Sequence, residues 1–355
     1  MADSHDVRRE HGLHPLRVKA IVQETPDARS FVLEVPDDVA DLFHYRPGQF
    51  CTFRLRVGDD ELLRSYSMSS APGIDPHLTV TVKRVDGGRV SNWLHDNVAE
   101  GDVLEASKPA GVFCPSDSER PVVAFAGGSG VTPVISIAKS LLASTSRPVK
   151  LLYANRDRES VIFDAQLEEL VARHPGRLEL RHHLDTDGGF LTAATVRELV
   201  GDDLDADFHI CGPTPFMDLV EATLLELGAA ADRIRIERFV NDGQPAPSVA
   251  APSPDDAGGA IEVPDEITLI VKGRRHTIDH QAGDTVLGTA RRAGIVTPYS
   301  CEAGNCATCM ALCQEGSVEM RVNDVLTDDE LAEGWVLTCQ AEPRGPAVTI
   351  EFESF

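Results

Sequence analysis

Four cysteines near the end of the chain have the spacing of ligands to an iron–sulfur cluster. Cys301, Cys306 and Cys309 lie within nine residues, and Cys339 follows after 29 intervening residues. Plant-type [2Fe–2S] clusters take four thiolates in this C-x4-C-x2-C pattern, with the fourth supplied from a distant position. A zinc site, which usually shows paired short spacings, and unrelated buried thiols are the alternatives. Cys313 does not fit the ligand set, and we expect it to be a small buried residue on the strand that leaves the loop.

A second group of residues with useful chemistry is the run RSYS at 64–67. The guanidinium of Arg64 could neutralise a diphosphate. Tyr66 offers an aromatic face and a hydroxyl, and Ser67 adds a second hydroxyl that could hydrogen-bond a planar ligand. Taken alone, these four residues fit an edge strand with an Arg and a Tyr on its polar face.

Glycines stand before two predicted helices. The run GGRVSNWLHDNV, residues 87–98, predicts a glycine turn, Ser91 as N-cap and an amphipathic helix. The run AGGSGVTP, residues 126–133, follows an apolar strand and enters a helix that has Thr132 and Pro133 at its start. Helix N-termini favour phosphate because their free N–H groups and their dipole attract anions. The alternatives are an ordinary capped helix and a glycine-rich turn that binds nothing.

Three segments must position these residues. Residues 12–113 contain short strands with period-two alternation, which predicts an antiparallel β-barrel or sandwich. Residues 118–240 alternate apolar strands with helices, which predicts an α/β doubly wound parallel sheet that binds ligands at the carboxyl ends of its strands. Residues 241–262, rich in Pro, Ala, Gly, Ser and Asp, predict a flexible linker. Residues 263–355 predict an α+β domain around the cysteine loop.

Composition limits the class of protein further. The 355 residues suffice for two or three domains. A formal net charge of −24 argues against nucleic acid and against anionic membranes, and it suits docking to a basic partner. We see no secretion signal and no apolar run of about 18 residues, so we expect a cytoplasmic protein without a membrane span. Because five of the eight cysteines lie in the last 55 residues, we expect a metal site rather than disulfides.

In this order, the motifs resemble the ferredoxin-NADP reductase superfamily, followed by a plant-type ferredoxin domain of β-grasp fold. The stretches SYSMSSAP, VSNWLHD and LLYANRD resemble the reductase components of 3-ketosteroid 9α-hydroxylases most, and the phenylacetyl-CoA epoxidase reductase subunits next. A glycine that is common after the second loop cysteine is Ala307 here, a change that we expect to be conservative in size.

The resemblance implies which residues bind the cofactors. Ser67, Cys211, Glu237 and Phe239 are the residues expected to act in catalysis, beside the flavin and the nicotinamide. The plain alternatives are a buried strand thiol for Cys211 and a packing role for Phe239. The full cofactor-binding set is Arg64, Ser65, Tyr66, Ser67, Val82, Lys83, Gly88, Val90, Ser91, Gly127, Gly128, Gly130, Thr132, Pro133, Cys211 and Gly212. Of these, the run at 64–67 and the glycine turn before the helix are expected at the flavin, and the loop at 127–133 with Cys211 and Gly212 at the nicotinamide nucleotide.

The resemblance also implies the activity. We expect FAD rather than FMN, and NADH rather than NADPH, although Arg156 and Arg158 could hold a 2′-phosphate. A nicotinamide gives two electrons as hydride and a [2Fe–2S] cluster accepts one at a time, so a flavin must stand between them. The expected partner is an oxygenase component of Rieske or di-iron type. The alternatives are an aryl-CoA epoxidase reductase that uses NADPH, and a flavin and iron–sulfur redox sensor without catalytic turnover.

Overall fold

The computed structural model divides the chain into two compact units. The first unit is Leu13–Phe239, and the second contains the described residues after the predicted linker. That linker, 241–262, lies outside the described residues. The domain boundaries at 12–113, 118–240 and 263–355 therefore remain predictions. The structure describes residues 12–239, 263–299, 301, 302, 304 and 306–352.

Six antiparallel strands form the first half of the first unit, as the alternating pattern predicts. Their order in the sheet is β4-β3-β6-β1-β2-β5. A bridge between Met68 and Val80 joins the outer strands, so the sheet closes into the predicted barrel. Large apolar side chains such as Phe31 and Phe53 fill its interior. The strands are β1 (Leu13–Thr25), β2 (Ala28–Glu34), β3 (Phe50–Val57), β4 (Asp60–Ser67), β5 (Leu78–Lys83) and β6 (Val103–Ser107).

Helix α1 (Arg89–Asn97) packs against the core of this barrel and begins three residues earlier than predicted. Gly88 occupies the N-cap position, so the prediction of Ser91 as N-cap is wrong. The Ser91 hydroxyl accepts a hydrogen bond from the Val85 N–H at 3.1 Å instead. It therefore stabilises the glycine turn before the helix, while Val90 beside it enters the barrel core.

A five-stranded parallel sheet forms the second half of the first unit and confirms the doubly wound α/β prediction. Its order is β11-β10-β7-β8-β9. Helices pack on both faces, which is why β7 is buried along its whole length. The strands are β7 (Val122–Gly127), β8 (Val149–Asn155), β9 (Leu178–Leu184), β10 (Asp207–Cys211) and β11 (Ile234–Glu237). The helices are α2 (Val131–Ser144), α3 (Asp164–Arg173), α4 (Asp185–Gly188), α5 (Ala193–Val200) and α6 (Thr214–Glu226).

A strap at residues 114–120 joins the barrel to this sheet and is held by a buried ion pair. The Nη2 atom of Arg147 lies 2.6 Å from Oδ2 of Asp207. The same oxygen accepts hydrogen bonds from the hydroxyls of Ser116 and Ser118. Arg147 also donates to the carbonyl oxygens of Ser116 and Arg120. The segment between the first two predicted domains is therefore a fixed connection between two parts of one unit.

The second unit is a mixed five-stranded sheet with the order β13-β12-β16-β14-β15. Strands β12 and β16 run parallel, and the remaining pairs are antiparallel. Val286 and Ala290 of α7 pack into its core, which gives the predicted β-grasp arrangement. Its elements are β12 (Glu266–Val271), β13 (Arg274–Asp279), α7 (Val286–Arg292), β14 (Met310–Met320), α8 (Asp328–Ala332), β15 (Trp335–Leu337) and β16 (Ala341–Phe352).

Across the ranges that the structure describes, we find no helix with both the length and the apolar character needed to cross a bilayer.

Candidate functional site

The RSYS run forms the last four residues of β4, next to β3 in the barrel. Because side chains alternate along a strand, Arg64 and Tyr66 share one face. Nη1 of Arg64 donates to the Leu63 carbonyl at 2.6 Å. The ring of Tyr66 packs against Phe53, and burial raises the pKa of its hydroxyl, so the phenol stays neutral. Ser67 is buried where the strand ends.

Lys83, at the end of β5, reaches the glycine-rich turn of the neighbouring parallel sheet. Its ammonium lies 3.6 Å from a carboxylate oxygen of Asp27. A Cβ added to Gly128 would stand 3.9 Å from the same nitrogen. Lys83 is one of the expected cofactor-binding residues, and the structure places its charge between the barrel and the glycine turn at residues 127–130, which we call the nucleotide loop.

That nucleotide loop is packed directly on the end of β10. Strand β7 ends at Gly127, a short 3-10 turn follows, and α2 begins at Val131. A Cβ on Gly130 would lie 2.1 Å from the carbonyl oxygen of Cys211, and one on Gly212 would lie 3.0 Å from the Cα of Gly127. Real Cβ atoms do not approach so closely, so these glycines let two backbones touch.

Two further predicted residues of this loop lie in the first turn of α2. The Thr132 hydroxyl donates to the Ser129 carbonyl at 3.0 Å and thereby ties the helix to the turn before it. Both Thr132 and Pro133 are buried. They shape the loop, and the helix start after Gly130 directs its free N–H groups toward the carboxyl edge of the sheet.

Ser67 lies on the barrel, and the other three residues predicted to act in catalysis lie at the ends of two neighbouring strands or just beyond them. Cys211 and Glu237 are register partners on β10 and β11. Burial, with a smaller effect of Glu237, raises the pKa of the Cys211 thiol, which therefore stays protonated. Phe239 is half-buried and packs against the core cluster that contains Cys211. The sheet thus brings together a neutral thiol, a carboxylate and an aromatic ring.

Two predicted cofactor-binding residues have their side chains in the barrel core. Val82 and Val90 are buried in the barrel core. The Val82 carbonyl oxygen lies 2.8 Å from Nε2 of His95. Only the backbone of these two valines could therefore contact a ligand.

The four predicted cluster ligands come together in the second unit. Cys306, Cys309 and Cys339 are buried and Cys301 is half-buried. The thiols of Cys301 and Cys306 interact, and so do those of Cys309 and Cys339. This donor set of four thiols in two adjacent pairs fits a [2Fe–2S] cluster.

The segment that carries the fourth cysteine is fastened to the loop on both sides. The Thr338 hydroxyl and N–H both donate to the Cys309 carbonyl, at 2.9 and 3.1 Å. Nε2 of Gln340 donates to the Glu302 carbonyl at 2.8 Å.

Within the described part of the chain, we find no group of three or more His, Cys, Asp or Glu side chains placed as ligands of one metal ion.

Of two details of the cysteine loop, the first adds to our expectation and the second corrects it. Ala307 has φ +53°, so its replacement of glycine is conservative in size but not in backbone conformation. Cys313 lies on β14 as predicted, but it is half-buried, with its sulfur 3.6 Å from the Glu315 carbonyl. The register shift in β14 between Cys313 and Glu315 explains why this position is not fully covered.

A cleft of about 220 Å³ lies between the barrel and helices α2 and α3, and no local sequence signal indicates it. Its lining includes Ser30, Ser69 and Lys139. Among the described residues that line it, none is a predicted site residue. Burial raises the pKa of Glu24 at its wall, against the opposing effect of a Ser30 hydrogen bond.

Three family models match the chain, in the order that the motifs predict. They are an oxidoreductase FAD-binding domain over residues 15–114, an oxidoreductase NAD-binding domain over 125–222, and a 2Fe-2S iron–sulfur cluster binding domain over 269–344. These matches confirm the predicted cofactors, FAD in preference to FMN included.

Relatives match nearly the whole chain. The ferredoxin reductase component of 3-ketosteroid-9-alpha-monooxygenase from Rhodococcus rhodochrous is 40% identical over 341 residues, 95% of this chain and 96% of the relative. One of the subunits of the 1,2-phenylacetyl-CoA epoxidase of Escherichia coli K12 is 32% identical over 359 residues, 96% of this chain and 98% of the relative. The crystal structure of phthalate dioxygenase reductase shares the fold, with a TM-score of 0.58 at 24% identity over 96% of this chain and 98% of that one.

Proposed function

The chain belongs to the family of oxygenase reductase components that join FAD-binding, NAD-binding and 2Fe-2S domains, and we propose that it supplies an oxygenase with electrons from NADH. Strand β4, which ends in RSYS and which we call the flavin strand, belongs to the same barrel as Lys83. The observation that carries this proposal is that Lys83 of this barrel reaches the nucleotide loop within one unit. The bound flavin supplies the chemistry that converts one hydride into two separate electrons, and the cluster accepts them singly.

The residues of the chain would hold and orient these groups. Arg64 would pair with the flavin diphosphate, and Tyr66 and Ser67 would contact the flavin itself. The backbone around Gly127–Gly130 would hold the nicotinamide nucleotide. Cys211 would present a neutral thiol to the nicotinamide and would not act as a nucleophile, because burial keeps it protonated. Phe239 and Glu237 would close the same side of the site.

We propose NADH in preference to NADPH because carboxylates already engage both arginines that a 2′-phosphate would need. Nε of Arg156 lies 2.7 Å from Asp157. Arg158 contacts Asp164 at 2.8 Å and Glu168 at 2.7 Å. With more carboxylates than guanidiniums at this edge, a doubly charged phosphate would meet net repulsion.

The partner we propose is an oxygenase component, with an iron centre of the Rieske or the di-iron kind. Among the relatives described above, the reductase of a steroid monooxygenase is 40% identical and the epoxidase relative is 32% identical. We therefore propose a steroid hydroxylase system first and an aryl-CoA epoxidase system second.

Steady-state assays with purified, iron-loaded protein test this function. We expect NADH to reduce ferricyanide and cytochrome c many times per second and NADPH to be a much poorer donor. Turnover below about 1 per second with every acceptor would contradict a reductase and favour the redox sensor. A panel of Rieske and di-iron oxygenase components, each with its own substrate, then identifies the partner through NADH-dependent product formation.

A further inference from the structure

Helix α2 carries two polar side chains that cross from the parallel sheet to the flavin barrel. The Ser136 hydroxyl donates to the backbone carbonyl of Ser70 at 2.6 Å. One turn later, Nζ of Lys139 lies 2.5 Å from Oδ2 of Asp75. The same carboxylate oxygen accepts the Ala71 N–H at 2.6 Å. We call Ser136, Lys139, Ser70 and Asp75 the α2 bracket.

Three residues of the bracket are buried and the side chain of the fourth, Asp75, is 29% exposed, which separates the bracket from ordinary surface ion pairs. Ser136 has no exposed surface and Lys139 is 8% exposed. Lysine is almost never buried this far without a partner, because removing the ammonium from water is costly. Ile135 and Ile137 of the same helix pack into the apolar core, while Lys139 lines the cleft between the barrel and α2.

The barrel side of the bracket is fixed independently of α2. The Ser70 hydroxyl lies 2.7 Å from the Tyr45 hydroxyl and accepts the Thr79 N–H at 2.9 Å. The next residue back, Ser69, hydrogen-bonds the Thr81 hydroxyl at 2.8 Å. The segment 69–75 is therefore attached to the barrel wall at one end and to α2 at the other.

The bracket links the two halves of the proposed site. Helix α2 begins immediately after the glycines of the nucleotide loop. The segment 69–75 begins two residues after Ser67, the last residue of β4. A shift of α2 relative to that segment would therefore change the distance between the nicotinamide and flavin positions.

We propose that Ser136 and Lys139 are positioning residues that hold the nucleotide loop at a fixed distance from the flavin strand. This inference rests on the proposed function. In the reaction, a C–H bond of NADH breaks and its hydrogen leaves with both electrons, so NADH is oxidised and the flavin is reduced. Such a transfer is sensitive to displacements of about 1 Å, which can cost on the order of a hundredfold in rate.

Anaerobic rapid mixing of the holoprotein with NADH tests the proposal, because it separates the dissociation constant of NADH from the limiting rate of flavin reduction. For Lys139→Met and for the nearly isosteric Asp75→Asn, we expect the limiting rate to fall about tenfold or more. We expect the dissociation constant to stay within about twofold, because binding contacts are kept. Lys139→Arg should restore most of the rate because it retains the charge. The control is Lys19→Met, which removes an exposed barrel lysine.

Hydrogen–deuterium exchange without NADH gives a readout that does not depend on turnover. In Lys139→Met we expect faster exchange of the amides in segment 69–75, Ala71 included. Faster exchange with an unchanged limiting rate would show that the bracket is merely structural and would overturn the proposal. An equal loss in Lys139→Arg, or no change in any variant, would overturn it as well. If NADH fails to reduce the flavin of the unaltered protein, the proposed function itself is wrong.

Discussion

At the scale of single residues, Arg64 and Lys83 are two cations that we assign to different dinucleotides. We expect Arg64→Ala to lose flavin on dialysis, because the diphosphate loses its charge partner. We expect Lys83→Gln to keep its flavin but to raise the KM for NADH about tenfold, the loss of one charged hydrogen bond. Flavin absorbance after dialysis and steady-state kinetics measure these effects. The opposite pattern would exchange the two assignments, and Lys19→Gln serves as the control.

Ala307 is a residue at which glycine would be more stable. Its φ of +53° costs an L-residue about 1 kcal/mol or more, whereas glycine adopts it freely. We expect Ala307→Gly to raise the free energy of unfolding of the cluster-loaded unit by about 0.5–1 kcal/mol. Bleaching of the cluster in urea measures this change. Ala293→Gly, at a position with φ −78°, should not stabilise the unit. Equal midpoints for Ala307→Gly and the parent chain would argue against strain at this residue.

His209 should make stability depend on pH. Burial, with a smaller effect of Arg235, lowers the pKa of this histidine from 6.5 to about 4. Between these values the unfolded chain binds a proton that the folded chain does not, so stability falls as the pH drops. We expect His209→Gln to reduce the slope of unfolding free energy against pH by about 1.4 kcal/mol per unit in that window. Urea titrations from pH 7 to 4.5, with exposed His44→Gln as control, test this. An unchanged slope would show that His209 is protonated in the fold.

Several site residues could be predicted from the sequence because their motifs are local. RSYS, the glycine run before α2 and the first three cluster cysteines each lie within about ten consecutive residues. The conformation of Ala307 and the position of Lys83 next to Gly128 could not be predicted in this way. The first is a backbone torsion that a residue type does not fix, and the second depends on how two domains pack.

At the scale of elements, period-two and continuous apolar runs predicted the strands, because burial on one face or on two faces leaves different patterns. The start of α1 was misplaced since Ser91 resembles an N-cap, although its hydroxyl serves the turn before the helix. The fixed conformation of the strap at 114–120 could not be predicted, because its partners, Arg147 and Asp207, are distant in sequence.

The strap carries a prediction about stability. Arg147→Met would leave Asp207 buried without its counter-charge, and we expect a loss of about 3–5 kcal/mol in unfolding free energy. The double variant Arg147→Met/Asp207→Leu should lose less, because no buried charge remains unpaired. Arg197→Met breaks an exposed pair with Glu226 and should change stability by less than about 1 kcal/mol. Release of flavin in urea reports the unfolding, and a near-zero effect of Arg147→Met would mean that the strap does not stabilise this unit.

At the scale of the whole molecule, the division into two compact units predicts that the two redox functions can be separated. We expect Cys306→Ser to lose the cluster and yet to keep NADH-dependent ferricyanide reduction within about twofold, because the flavin site lies in the other unit. Cys313→Ser should keep both functions, since this thiol is not a predicted ligand. Iron analysis, visible spectra and ferricyanide assays decide the matter. Loss of both activities in Cys306→Ser would contradict independent units.

The contact of Gly130 with Cys211 and of Gly127 with Gly212 also bears on protein engineering. Main-chain atoms, rather than side chains, give this part of the nucleotide pocket its shape. We predict that coenzyme preference is set separately, by the charged residues 156–159. To make the enzyme use NADPH, a designer should keep these glycines and change only the charges of residues 156–159.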